Sequence, residues 1–181
     1  GTAVTREAAT LVLTDDNFAT IVHAVEEGRV IYDNIVKFVR FQLSTNIGAI
    51  LAVLAATLLG MPTPFTAIQL LWINIIMDGP PAMMLGIEPA RPGIMRDKPR
   101  RQEAQILTPQ RLGRLALYGA TMMAGTLYLF QHGLTTQSQD YALTLAFTTF
   151  VLFQFFNVFN ARTEHGSAFN AHFFKNGKLW L

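Results

Sequence analysis

The sequence predicts an α-helical membrane protein with four transmembrane helices, preceded by a cytoplasmic stalk helix. Three observations carry that prediction. Of the 181 residues, 51% are hydrophobic and only 14% are charged, against about 25% charged in an ordinary soluble domain. Four apolar stretches, at about residues 41–59, 68–87, 112–130 and 141–159, each come near the ~20 residues that cross a ~30 Å hydrocarbon core. Every Lys and Arg lies before residue 41, between residues 88 and 114, or after residue 159. The positive-inside rule therefore puts the N-terminus, the loop after the second span and the C-terminus in the cytoplasm. The partner this composition demands is a lipid bilayer. The basic charge balance follows from topology and is no argument for nucleic acid.

In chain order, Thr10–Leu13 is a short β-prone run, and Thr14-Asp15-Asp16-Asn17 is a cluster of N-cap residues from which a helix should start. Apolar residues at Ile21, Val25, Val30, Ile31, Ile35, Phe38 and Val39 keep a helical period past Gly28. A stalk helix should thus enter the first span without a linker. Gly60-Met61-Pro62-Thr63-Pro64 makes a tight external turn, so the first two spans form a hairpin. The loop after the second span, with Pro89, Pro92, Pro99, Arg91, Arg96, Asp97, Lys98, Arg100 and Arg101, reads either as a topological determinant or as a docking surface for a soluble domain. Arg114 lies at the start of the third span and can snorkel to the interface. The opening Gly1-Thr2-Ala3-Val4 and the closing Lys178-Leu179-Trp180-Leu181 read as the interior of a longer chain.

Asp78 is the one acidic residue inside a span. A carboxylate at membrane depth costs at least a few kcal/mol, so such residues line ion or substrate paths. Gly79, Pro80 and Pro81 follow it and cannot continue a regular helix, which frees backbone carbonyls beside the anion. Asn74 lies four residues before Asp78, on the same helical face. Asn46, in the first span near Gly48, reads equally as a ligand or as interhelical hydrogen-bonding glue. Gln154 and Asn157 share a face of the fourth span, and read first as glue and second as accessory ligands. Asp78, Asn74 and Asn46 supply three of the six to eight oxygens that a hard cation such as Ca²⁺ takes. One carboxylate leaves a divalent ion undercompensated, so a further acidic ligand is expected from a helix outside this chain. A protonated Asp78, acting as a proton carrier, is the competing reading. Met77 and Met83 suit packing, and His23, His132, His165 and His172 form no metal motif.

Two groups of residues resemble a known family. Gly1 to Ala9, Val12-Leu13-Thr14-Asp15-Asp16-Asn17-Phe18 and Glu26-Glu27-Gly28-Arg29 are similar to the end of the phosphorylation domain of P-type cation-transporting ATPases. Leu71-Trp72-Ile73-Asn74-Ile75-Ile76-Met77-Asp78-Gly79-Pro80-Pro81-Ala82 resembles the sixth transmembrane helix of the calcium-pump branch. The four spans would then be helices five to eight. Residues 1–18 would be the tail of the α/β phosphorylation domain, 19–40 the stalk, and 41–181 the C-terminal transmembrane domain. Val39 to Thr45 is similar to secretory-pathway pumps, whereas Gln154-Phe155-Phe156-Asn157 is similar to the plasma-membrane type.

The resemblance implies an ATP-driven enzyme that exports Ca²⁺ from the cytoplasm, in the cell membrane, with Asp78, Asn74 and Asn46 at the ion site. Where the two-ion pumps carry glutamates on helices five and eight, this chain has Ala49 and Gln154, which implies one ion per cycle. No catalytic residue for ATP hydrolysis is expected here, and Asp15 and Asp16 read as capping groups. ATP and Mg²⁺ would act through the rest of the pump, which supplies the actuator, nucleotide and phosphorylation domains and helices one to four. Mn²⁺ is the alternative cargo, although Met83 stands where the manganese pumps carry Gln. The alternative from another class is a non-catalytic pump remnant that acts as a membrane interaction module, which the sequence upstream of Gly1 would distinguish.

Overall fold

The computed structural model describes residues 2–15, 17–99 and 105–162. Gly1, Asp16, Arg100, Arg101, His165, His172 and Lys178–Leu181, named above, lie outside the described residues. A short helix, α1 (Ala3–Ala8), precedes α2 (Phe18–Leu58), α3 (Ala67–Trp72), a π-helical turn (Ile73–Asp78), α4 (Gly79–Gly86), a 3₁₀ turn (Ile94–Arg96), α5 (Pro109–Thr136) and α6 (Gln139–Arg162). Among the described residues there is no strand, and the β-prone run at Thr10–Leu13 is irregular. Its β-branched residues are exposed and have no partner strand to pair with, and pairing is what a strand requires.

The helix expected after residue 17 starts there. Asn17 Oδ1 accepts from the Ala19 N–H at 3.0 Å, and Asp15 accepts from the Asn17 N–H and the Thr20 hydroxyl. α2 then runs for 41 residues without interruption, about 60 Å at 1.5 Å per residue. That is twice the hydrocarbon thickness, so α2 is longer than a span requires, and Gly28 does not break it. Its C-terminus closes as a Schellman motif: Met61 N–H bonds the Ala56 carbonyl and Gly60 N–H the Thr57 carbonyl, with Gly60 at φ 68°. A capping box between Thr66 and Gln69 opens the second hairpin arm.

The second arm corrects one expectation. Gly79-Pro80-Pro81 do not interrupt the helix, because the chain widens into the π turn Ile73–Asp78 and resumes as α4. The wide turn accommodates two prolines at the start of α4, where a missing N–H costs little.

Three helical stretches, Phe18–Leu58, Ala67–Gly86 and Gln139–Arg162, are long and apolar enough to cross a membrane. α5, which contains the third expected span, is long enough at 28 residues but less apolar. Glycines take the place of bulky side chains along it. A Cβ at Gly119 would lie 2.6 Å from Ile47 Cγ2, one at Gly125 2.5 Å from the Phe153 ring, and one at Gly133 2.8 Å from Ala142 Cα. α5 thus packs closely on α2 and α6 through small residues, as membrane helices do.

Two apolar layers result. One gathers Ala52, Ala56, Phe65, Ile73, Met122, Phe130, Ala146 and Phe150, with Phe65 edge-on to Phe150 at 5.2 Å. The other gathers Phe41, Ala82, Leu85, Val158 and Ala161. Along α2, along the π turn into α4, and along α6, buried polar residues occupy the sequence interval between the two layers.

Candidate functional site

That interval contains Ser44 and Thr45 on α2, Asp78 at the end of the π turn, and Gln154 and Asn157 on α6, all buried. Asp78 is 1% exposed. Gln154 Nε2 donates to its Oδ1 at 2.9 Å, and Gln42 Nε2 donates to its Oδ2 at 3.3 Å. Each carboxylate oxygen is therefore held by an amide from a different helix. Asn157 Nδ2 donates to Ser44 Oγ at 2.7 Å, joining α6 to α2 beside the carboxylate. Thr45 Oγ1 approaches the Phe41 and Gln42 carbonyls of its own helix. Gln154 Oε1 is buried without a hydrogen-bond partner, and an unpaired acceptor in a dry layer costs about 1–3 kcal/mol.

Not every residue anticipated from the sequence joins this layer. Asn74 is exposed, and its Nδ2 donates to the Leu70 carbonyl at 2.8 Å. Within this π turn Asn74 is exposed while Asp78, four residues on, is buried. Asn46 is half-buried on α2 and makes no hydrogen bond to Asp78. Gln42 was not anticipated. Its signal was present, because it precedes Asn46 by four residues and so places a second amide on that face.

The proline pair also shapes the site. Backbone N–H groups of residues 80 and 81 would bond the Ile76 carbonyl in α and π patterns respectively, and both residues are proline. The Ile76 carbonyl is thus denied both partners, two residues before Asp78. A carboxylate, amide oxygens and a backbone carbonyl without its α- and π-pattern donors are the kinds of oxygen donor that hard cations select.

Below this layer, α2 is tied to the chain that leaves α4. Asn34 Nδ2 donates to the Gly86 and Glu88 carbonyls, satisfying acceptors left open at the helix end. Arg29 donates to the Ile94 and Asp97 carbonyls, both at 2.8 Å. Arg91 bridges Asp33 and Asp97. Arg162, in the last turn of α6, pairs with buried Glu88 at 2.6 Å, and Arg40 donates to the Asn160 carbonyl. The basic loop anticipated as a topological determinant or docking surface is, up to Asp97, clamped onto the stalk. Lys37 sits in this cluster, where burial holds its ammonium below the usual lysine range.

Known proteins share this sequence pattern. A family model described as "Cation transporting ATPase, C-terminus" matches residues 62–181. The chain is 41% identical over its whole length to calcium-transporting ATPase 1 of Yarrowia lipolytica, covering 20% of that protein. It is 43% identical over 178 residues to calcium-transporting ATPase 1 of Saccharomyces cerevisiae, covering 97% of this chain and 19% of that protein. Human calcium-transporting ATPase type 2C member 1 is 44% identical over 172 residues, with 93% of this chain and 18% of that protein covered. The chain thus spans about a fifth of the length of these relatives. An all-helical membrane architecture, a buried carboxylate at a proline-induced wide turn, and the match over residues 62–181 lead to one assignment: the chain belongs to the cation-transporting ATPase family, whose C-terminal region it contains.

Proposed function

We propose that this chain is the C-terminal membrane part of an ATP-driven pump that moves Ca²⁺ out of the cytoplasm, with Asp78 as the charged ligand. The single observation behind this reading is the burial of Asp78 in a polar layer of the bundle, where its described hydrogen bonds come from neutral amides and the Thr45 hydroxyl. A buried carboxylate without a cationic partner is costly, and a divalent cation supplies the missing charge. Asn46 and Asn74 add amide oxygens, with Asn74 turning from the Leu70 carbonyl toward the ion, and Ile76 adds its carbonyl. Gln154 and Asn157 support the layer from α6. The second carboxylate comes from a helix of the remaining portion of the pump, packed over the exposed Asn74 face.

One ion per cycle follows from the charge available. Gln154 brings an amide where a second carboxylate would stand, and Ala49 brings a methyl. ATP and Mg²⁺ act through the rest of the protein, whose phosphorylation domain residues 1–18 would terminate. The chain is multi-pass with a cytoplasmic N-terminus, and the stalk 19–40 joins that domain to the membrane part 41–181. The test is ATP-dependent ⁴⁵Ca²⁺ uptake by the full-length protein in vesicles, with Asp78→Asn expected to abolish it. Uptake by that variant equal to the parent would overturn the ligand assignment. Uptake of Mn²⁺ but not Ca²⁺ by the parent protein would overturn the choice of ion.

A further inference from the structure

We infer that Gln42 is a positioning residue of the ion site, whose amide fixes the Asp78 carboxylate and thereby sets the affinity for the divalent cation. This rests on the reading of Asp78 as the cation's ligand. An ionised carboxylate has about four lone-pair directions. Gln42 from α2 takes one on Oδ2 and Gln154 from α6 takes one on Oδ1. The two oxygens are thus held from two helices, so neither side-chain rotation nor an exchange of oxygens is free. The Thr45 hydroxyl approaches the same carboxylate, and what remains, with a fixed direction, is open to a metal ion. Donors behind a ligating carboxylate commonly change metal affinity 10–100-fold when removed.

The bundle does not need Gln42 as glue. α2 is already joined to α6 by Asn157–Ser44 at 2.7 Å and to the end of α4 by Asn34 at 2.7 Å. Gln42 is also half-buried, in a helix whose other side chains at this level, Phe41 and Leu43, are apolar. An amide placed there is explained by the oxygen it meets.

The experiment uses the full-length protein and measures Ca²⁺-dependent ATP hydrolysis against free Ca²⁺ for the parent, Gln42→Met, Gln42→Glu and Asp78→Asn. Gln42→Met keeps the length of the side chain and removes the donor. It should raise the half-saturating Ca²⁺ about tenfold while leaving the maximal rate within about twofold. Gln42→Glu sets a second carboxylate against Asp78, and bound Ca²⁺ relieves that repulsion. Its half-saturating Ca²⁺ should therefore lie between those of the parent and Gln42→Met. A Met variant with an unchanged half-saturating concentration overturns the inference. So does one that loses maximal rate alone, as a merely structural role would produce. If Gln42→Met is too unstable to assay, Gln42→Glu decides, and parent-like affinity there counts against the inference. Calcium dependence that survives in Asp78→Asn instead refutes the underlying ligand reading, whatever the Gln42 variants do.

Discussion

Replacing Glu88 by Ala removes one half of a buried ion pair and leaves Arg162 in place. Arg162 Nε and Nη2 both donate to Glu88 Oε1, at 3.0 and 2.6 Å, and the two side chains are only 7% and 9% exposed. Breaking such a pair from one side costs about 3–5 kcal/mol, because the remaining charge stays desolvated. The pair lies at the end of the bundle, where water can reach a relaxed guanidinium, so the lower end applies. About 3 kcal/mol corresponds to a folding equilibrium shifted roughly 150-fold. The double variant Glu88→Leu with Arg162→Met removes both charges and keeps the volume, so it should recover most of the loss. The assay is a double-mutant cycle with the single variants Glu88→Leu and Arg162→Met on the full-length protein in detergent, read as the shift of the unfolding midpoint in a denaturant titration. A coupling energy under about 0.5 kcal/mol, or a double variant as unstable as the sum of the singles, would refute the argument that desolvation dominates.

Two further outcomes follow from other parts of the fold. Gly119→Val should destabilise by about 2–3 kcal/mol, since a Cβ there meets Ile47 Cγ2 at 2.6 Å and the Gly48 backbone nitrogen at 3.1 Å. Gly113→Ala, which meets nothing within 4 Å, is the control, and equal midpoints for the two variants would disprove close α2–α5 packing at Gly119. The clamp at Asp97 should respond to acid only. Arg91 holds the Asp97 carboxyl below its usual 3.8, so the stabilisation is present above that value and is lost as pH falls through the lower folded value. Limited proteolysis of the 88–97 segment should be level from about pH 8 to about pH 5 and rise only below about pH 4. A rise near neutrality would contradict the assignment.

What could be read from the sequence follows the range of the physics involved. The caps at Asn17 and Thr66 depend on residues within a few positions, and the stalk's helical period ignores a single glycine, so α2 could be anticipated from Asn17 into the membrane. Asp78 could be singled out because its cost is a solvation cost, independent of its neighbours. The exposure of Asn74 was not legible, since it depends on which helices pack against the turn and spacing alone does not give that. Nor was the Glu88–Arg162 pair, whose members are 74 residues apart and meet only once α4 and α6 have packed. Gln42 falls between these cases, since its spacing from Asn46 marked the face and only tertiary packing showed which oxygen that face meets.

On the proposed reading of Asp78 as a cation ligand, the bonds around it bear on which side of it the ion uses. On the α2 side, Asn34 fixes the end of α4 eight residues after Asp78, and Gln42 fixes the carboxylate itself on the same helix. On the α6 side, Gln154 holds the other oxygen and Asn157–Ser44 closes the contact. Entry through either side requires breaking amide bonds that no incoming ligand replaces. The face with Asn74, Ile75 and Ile76 is exposed, and Asn74 is bonded there only within its own helix. Exchanging the Asn74–Leu70 bond for coordination substitutes one polar partner for another, and the Ile76 carbonyl, denied both backbone partners, loses nothing by it. On the proposed reading the ion therefore sits between Asp78 and the helix packed over the Asn74 face, which makes the order of effects testable. Asn74→Ala should weaken half-saturating Ca²⁺ at least as much as Gln42→Met, because it removes an oxygen ligand and not only the support of one. A smaller effect at Asn74 than at Gln42 would count against Asn74 as a ligand.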